Sequence, residues 1–150
     1  YIGSDVTLCG EVGCGQVVKL INNALVFENT VALAEMMVLG QRAGVAPATL
    51  LDAVSKGSGD SFVLRNHGRK AMLPRQFPDK AFSPEYVLKD IGYVLELAGE
   101  TRTGVHVTEL ARRYYAATTQ QGFSGRYFPA VIEMVDRDIG PAPAAEGKGG

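Results

Sequence analysis

The run "GEVGCGQVVKLINNALVFENTVALAEMMVLGQR", Gly10 to Arg42, decides the fold. Three glycines come first, at 10, 13 and 15; from Gln16 to Arg42 only Gly40 interrupts a dense series of helix formers, and Gly44 then stops it. The pattern predicts a helix of about 40 Å at 1.5 Å per residue. Its apolar residues (Val17, Val18, Leu20, Ile21, Leu25, Phe27, Val31, Leu33, Met36, Met37) fall on nearly every side. A helix of that kind is expected to be covered by neighbours on several faces. Before the glycines, "DVTLC" at 5–9 reads as a short strand running into them.

Downstream the punctuation is closer. Pro47 suits the first position of a helix to about Ser55. "KGSGDS" is a turn, followed by a helix from Ser61 to Leu73, and then a proline-rich loop, "PRQFPDKAFSP". Ser83, Pro84 and Glu85 open a helix to about Gly99, Val105 to Gln121 forms another before Gly122, and Ser124 is placed to cap a last one to Asp136. The expected fold is all-α, about six helices around one long central helix. The closing "GPAPAAEGKGG" offers no side chain to bury and is expected to be disordered.

Composition sets bounds on function. In 150 residues, 46% are apolar and 21% charged, the usual balance of a soluble globular domain with its own core. A net charge of −1 gives no electrostatic case for nucleic acid or an anionic membrane. No continuous apolar run reaches 18 residues, so no membrane-spanning segment is expected. Cys9 and Cys14 have no companion ligands nearby, with His67 and His106 far away in sequence, so neither zinc nor a structural disulfide is expected. Reduced thiols fit the cytoplasm, or an organellar matrix. The chain begins at Tyr1 without an initiator Met or signal peptide, and reads as a segment of a longer protein.

The glycine cluster is not a dinucleotide fingerprint. That motif orders its glycines G-x-G-x-x-G and needs a second strand, ending in an acidic residue about 20 positions on. Here the order is G-x-x-G-x-G, and Glu35, 20 residues after Gly15, falls inside the helical run. The glycines end a strand and turn the chain into the helix. Gly13 and Gly15 also leave room for a ligand, and the free N–H groups of a helix start favour an anion such as a substrate carboxylate.

Lys19 shares a helix face with Gln16, Asn22 and Asn23, which makes a polar stripe on an otherwise apolar segment. Either the lysine snorkels, with its stem packed and its ammonium in water, or it faces a cleft where desolvation turns it into a proton donor and acceptor near neutral pH.

At this point the sequence resembles a family. Gly10, Gly13, Gly15, Lys19 and Asn23 match, without a gap, the G-x-x-G-x-G-x-x-x-K-x-x-x-N signature of the β-hydroxyacid dehydrogenases, the family of 3-hydroxyisobutyrate dehydrogenase and tartronate semialdehyde reductase. Downstream, "FSPEYVLKDIGYVLELAGE" is similar to the family's F-x-x-x-x-x-x-K-D-L segment, with Ile91 in place of Leu. The likeness continues through "GFSGRYFPAVIEM", so it covers almost the whole chain.

The resemblance implies a two-domain enzyme like 6-phosphogluconate dehydrogenase in architecture. Residues 1–9 would end an upstream Rossmann domain, 10–138 would form the helical C-terminal domain, and 139–150 the disordered tail. It implies NAD or NADP as cofactor, held mainly by the upstream domain, a small β-hydroxy acid as substrate, and a homodimer or homotetramer. Lys19 would be the general acid in reduction and base in oxidation, and Asn23 would orient the substrate hydroxyl or the lysine. Gly13, Gly15 and Asn22 would join Asn23 in substrate binding, while Lys89, Asp90 and Phe82 would lie on the cofactor side. Two rivals stand beside this reading. One is a non-catalytic helical oligomerisation or scaffold module; the other, a sugar-phosphate dehydrogenase, needs a larger helical domain than 150 residues allow.

Overall fold

Gly13 adopts φ +97°, a left-handed conformation that glycine reaches without a Cβ penalty, and the chain turns there into α1, Cys14–Arg42. The computed structural model describes residues 13–144, so the strand expected at 5–9, and Gly10 with it, lie outside the described residues. The helix ends as the sequence predicts. The Ala43 N–H bonds back to Leu39, and Gly44, at φ +96°, takes the chain away.

Five shorter helices pack against α1. With proline in its first turn, α2 spans Pro47–Val54. The next, α3 (Leu64–Met72), is π-helical rather than α-helical, and its wide register shows in the Leu73 N–H to Gly68 carbonyl bond of 2.8 Å. Extended Ser83 precedes α4, Pro84–Thr101, and left-handed Arg102 closes it. His106–Thr118 forms α5, which relaxes into a π turn, Thr119–Phe123, before Gly122 at φ +95° breaks it. A 3-10 turn, Phe128–Val131, leads into Ile132–Asp136, and the two together are α6. The all-α class holds: the described residues contain six helices and no strand.

Three local expectations need correction. Ser124 caps nothing; its hydroxyl donates to Glu85 instead, joined by the Gly125 N–H at 3.2 Å, and the last helix waits until Phe128. The left-handed Gly125 and the extended Tyr127 keep the residues before Phe128 out of a helix. The segment from Ser61 takes the π form, which a 3.6-residue period does not anticipate. Finally, among the described residues α1 is covered on one side only. Phe27, Val31, Ala34, Met37 and Val38 are buried, whereas Val18, Ile21, Leu25, Met36 and Leu39 are each about half exposed or more, from 49% to 60%.

The core between α1 and its neighbours is aromatic and aliphatic. Leu51, Leu64, Met72, Val87, Ile91, Tyr115, Ile132 and Met134 are fully or almost fully buried against it. Gly68 lets α3 come close, since a Cβ there would stand 3.0 Å from the Leu33 side chain. Polar contacts fix the register of α5 on α1. Thr108 donates to Glu28 at 2.5 Å, Tyr114 to Glu35 at 2.6 Å, and the buried Tyr115 hydroxyl to the Phe27 carbonyl at 2.8 Å. Burial and the Glu35 carboxylate push the Tyr114 phenol up to about 12, so it stays a donor at any physiological pH. By length and composition α1 could cross a membrane, yet these bonds tie its Glu28 and Glu35 into the bundle, where they serve packing. Arg75 pairs with Glu133 at 2.8 Å, fastening the loop after α3 to α6. Residues 139–144, read from the sequence as the start of a structureless tail, run back along α5, where Arg113 and Ala142 exchange two hydrogen bonds.

Candidate active site

The two sequence segments of the resemblance meet in space. The Asn23 side-chain Nδ2 donates to the Asp90 Oδ2 at 3.2 Å, across 67 residues of chain. A carboxylate accepts and cannot donate, so this contact fixes the amide: nitrogen toward Asp90, carbonyl oxygen outward. Both residues are half-buried, and α1 and α4 pack side by side there. Asp90, expected on the cofactor side, therefore stands behind Asn23.

Beside this pair opens a cavity of about 220 Å³, lined by Asn23, Val26, Phe27, Phe82, Phe128, His67 and Tyr127. Its walls are rings that brace one another. Phe82 stacks on Phe27 at 5.9 Å and 17°, and Phe128 meets Phe27, Phe82 and His67 edge-on at 5.0 to 6.0 Å. Phe82 is 40% exposed, so it forms the open side while Phe27 and Phe128 form the buried one. An apolar cavity with a few convergent polar groups is the usual form of a small-molecule site. A larger apolar cavity, about 590 Å³, runs along the C-terminal half of α1 against Leu50 and Val54 of α2, away from Asn23. Its aliphatic walls suit packing better than proton transfer.

Lys19 lies one turn before Asn23 on the same face of α1 and is exposed, as is Asn22. Gly13 and Gly15 are exposed on the first turn of α1, where an added Cβ would meet nothing within 4 Å among the described residues. Packing inside the described chain therefore does not require Gly15. Lys89 is exposed on α4, beside Asp90. With Phe82 and Tyr86, whose rings sit 5.5 Å apart, it makes an open strip of aromatic faces and positive charge. No group of three or more His, Cys, Asp and Glu among the described residues could hold a metal.

Sequence reading passed over two cavity residues. His67 Nδ1 and the Tyr127 hydroxyl are 2.5 Å apart, joining α3 to the residue before α6. They are 60 positions apart and match no spacing motif, so only the fold reveals them. Burial, and secondarily the charge of Lys70, lowers the His67 pKa below its ordinary 6.5. His67 is thus held neutral in the fold, whereas the unfolded chain takes up its proton below about 6.5. The sign follows: this stabilisation is present above 6.5 and is lost as pH falls from there through the folded-state value. The denaturation midpoint should drop between pH 7.5 and 5.5, and drop less in His67→Gln. Equal drops would remove His67 as the cause.

Known proteins resemble this chain over most of its length. Residues 13–135 match the family model described as "NAD-binding of NADP-dependent 3-hydroxyisobutyrate dehydrogenase". The chain is 30% identical over 139 residues to 2-(hydroxymethyl)glutarate dehydrogenase of Eubacterium barkeri, covering 93% of this chain and 46% of that protein. It is 28% identical to mouse mitochondrial 3-hydroxyisobutyrate dehydrogenase, covering 89% and 42%. The solved 3-hydroxyisobutyrate dehydrogenase of Mycobacterium tuberculosis shares the fold, with a TM-score of 0.76 at 22% identity over 85% of this chain and 45% of that one. The chain thus spans less than half the length of these relatives. Since the family model spans most of its 150 residues, this chain belongs to the 3-hydroxyisobutyrate dehydrogenase family, whose cofactor is NAD(P).

Proposed function

We propose that this chain is the helical half of an NAD(P)-dependent dehydrogenase that interconverts a small β-hydroxy acid and its aldehyde or ketone. The contact of Asn23 with Asp90 carries the reading, because it joins the two motif segments at the rim of a small cavity. A bound nicotinamide supplies or accepts the hydride. The chain's own residues handle the proton. In reduction negative charge builds on the substrate oxygen, and the Lys19 ammonium donates a proton to it; in oxidation the lysine amine takes the hydroxyl proton. Asn23, its nitrogen engaged by Asp90, offers its carbonyl oxygen to the substrate hydroxyl or to the lysine. Asp90 acts through Asn23 and is a positioning residue. Lys89, Phe82 and Tyr86 would hold the cofactor's anionic and planar parts.

The test is turnover by the complete polypeptide that carries this chain, with NAD and NADP and a panel of 3-hydroxyisobutyrate, glycerate and threonate. Turnover of at least one acid is expected, and none from residues 1–150 alone. An inert complete protein would sink the proposal. Asn23 and Asp90 should also couple. The double variant Asn23→Ala/Asp90→Ala should lose less in kcat/KM than the sum of the single losses, by about 1 kcal/mol or more. Strict additivity would mean that Asp90 does not act through Asn23.

A scaffold role is the second reading, and it would use the half-exposed face of Val18, Ile21, Leu25, Met36 and Leu39. The upstream domain or a second copy in a dimer or tetramer would cover the same residues, so this face is compatible with both readings.

A further inference from the structure

Resting on that reading of the cavity at Asn23, we propose that His67 and Tyr127 form the specificity wall of the substrate pocket. Together they donate one hydrogen bond to an oxygen acceptor at the end of the substrate remote from the reacting hydroxyl. The pair has one proton to spare. A neutral imidazole and a phenol carry one exchangeable proton each, and the contact between Nδ1 and the hydroxyl uses one of them. If tyrosine donates to Nδ1, Nε2 keeps an N–H. If Nδ1 donates to tyrosine, the O–H is left over. Either way one donor remains for an outside partner.

That donor is not sealed in the core. No buried side-chain nitrogen or oxygen among the described residues lacks a partner, and both residues are half-buried and line the cavity. The other lining side chains are those of Val26, Phe27, Phe82 and Phe128, which are apolar, and of Asn23. A ligand filling the cavity therefore meets Asn23 and the His67–Tyr127 pair as its polar contacts. At about 220 Å³ the cavity has room for a small acid with a short substituent. The ring contacts of His67 with Phe62 and Phe128, and of Tyr127 with Phe128, hold the pair in place.

A matched pair of acids tests it. 3-Hydroxyisobutyrate and 2-(hydroxymethyl)glutarate share the hydroxymethyl carboxylic acid, but the first ends in a methyl and the second in a chain with a distal carboxylate. Steady-state kinetics of the complete enzyme would be measured on both, for wild type, Tyr127→Phe, His67→Gln and Lys19→Ala. Wild type should show the lower KM for the acid with the distal carboxylate. Tyr127→Phe should raise that KM about 10- to 100-fold and raise the KM of the methyl acid by clearly less, so that the ratio of the two KM values falls. His67→Gln, which retains a donor, should keep part of the preference.

No turnover of the dicarboxylic acid by wild type would overturn the proposal, as would a Tyr127→Phe effect equal on both acids or absent from both. The Lys19→Ala arm separates the two failures. If that variant is nearly dead while Tyr127→Phe leaves the ratio of KM values unchanged, the specificity wall alone is wrong. If Lys19→Ala is as active as wild type, the proton-transfer site falls and the wall falls with it.

Discussion

Replacing Lys19 with alanine in the complete polypeptide should lower kcat by about 10²- to 10⁴-fold, the usual worth of a positioned proton donor. The fold should be untouched, because Lys19 is exposed on the first turns of α1 and is no part of the core. Three features set this expectation. Lys19 lies on the same helical face as Asn23. The Asn23 amide is oriented by Asp90 at 3.2 Å. Among the described residues, nothing crowds a Cβ at Gly13 or Gly15 on the first turn of α1. A loss confined to kcat, with KM little changed, identifies an interaction made in the transition state. A variant as active as wild type would return Lys19 to the role of a snorkelling surface residue and move the scaffold reading forward.

Phe128→Ala should be the most damaging single change to stability, at about 3 to 5 kcal/mol. The ring is 3% exposed and contacts Phe27, Phe82, His67, Tyr115 and Tyr127, so its removal leaves a void where α1, α3, α5 and α6 converge. Chemical denaturation should show the midpoint fall with little change in slope. Phe82→Ala is the control. At 40% exposure that ring should cost far less in stability, and its loss should appear as a higher KM. Equal destabilisation by the two would mean that the ring cluster does not carry the core.

Much of this was legible before any coordinates. Gly44, Pro47, Pro84 and Gly122 punctuate the chain by local rules of backbone sterics, so the ends of α1, α2, α4 and α5 fall within a few residues of their expected places. The stripe of Lys19, Asn22 and Asn23 follows from helical geometry alone. The π register of α3 was not legible. Nor was the seat of Gly68 against Leu33, a contact between residues far apart in sequence. Ser124 misled for a related reason: a serine suits a helix cap and a carboxylate partner equally, and Glu85 happened to be near.

Local chemistry thus settled most helix ends and the all-α class, because φ limits at glycine and proline and a 3.6-residue period act between near neighbours. Packing alone decided the rest. It joined Asn23 to Asp90 across 67 residues and His67 to Tyr127 across 60, and it chose which side of α1 to cover. Burial is a property of what comes to lie beside a residue, and for these positions the neighbours come from distant parts of the chain.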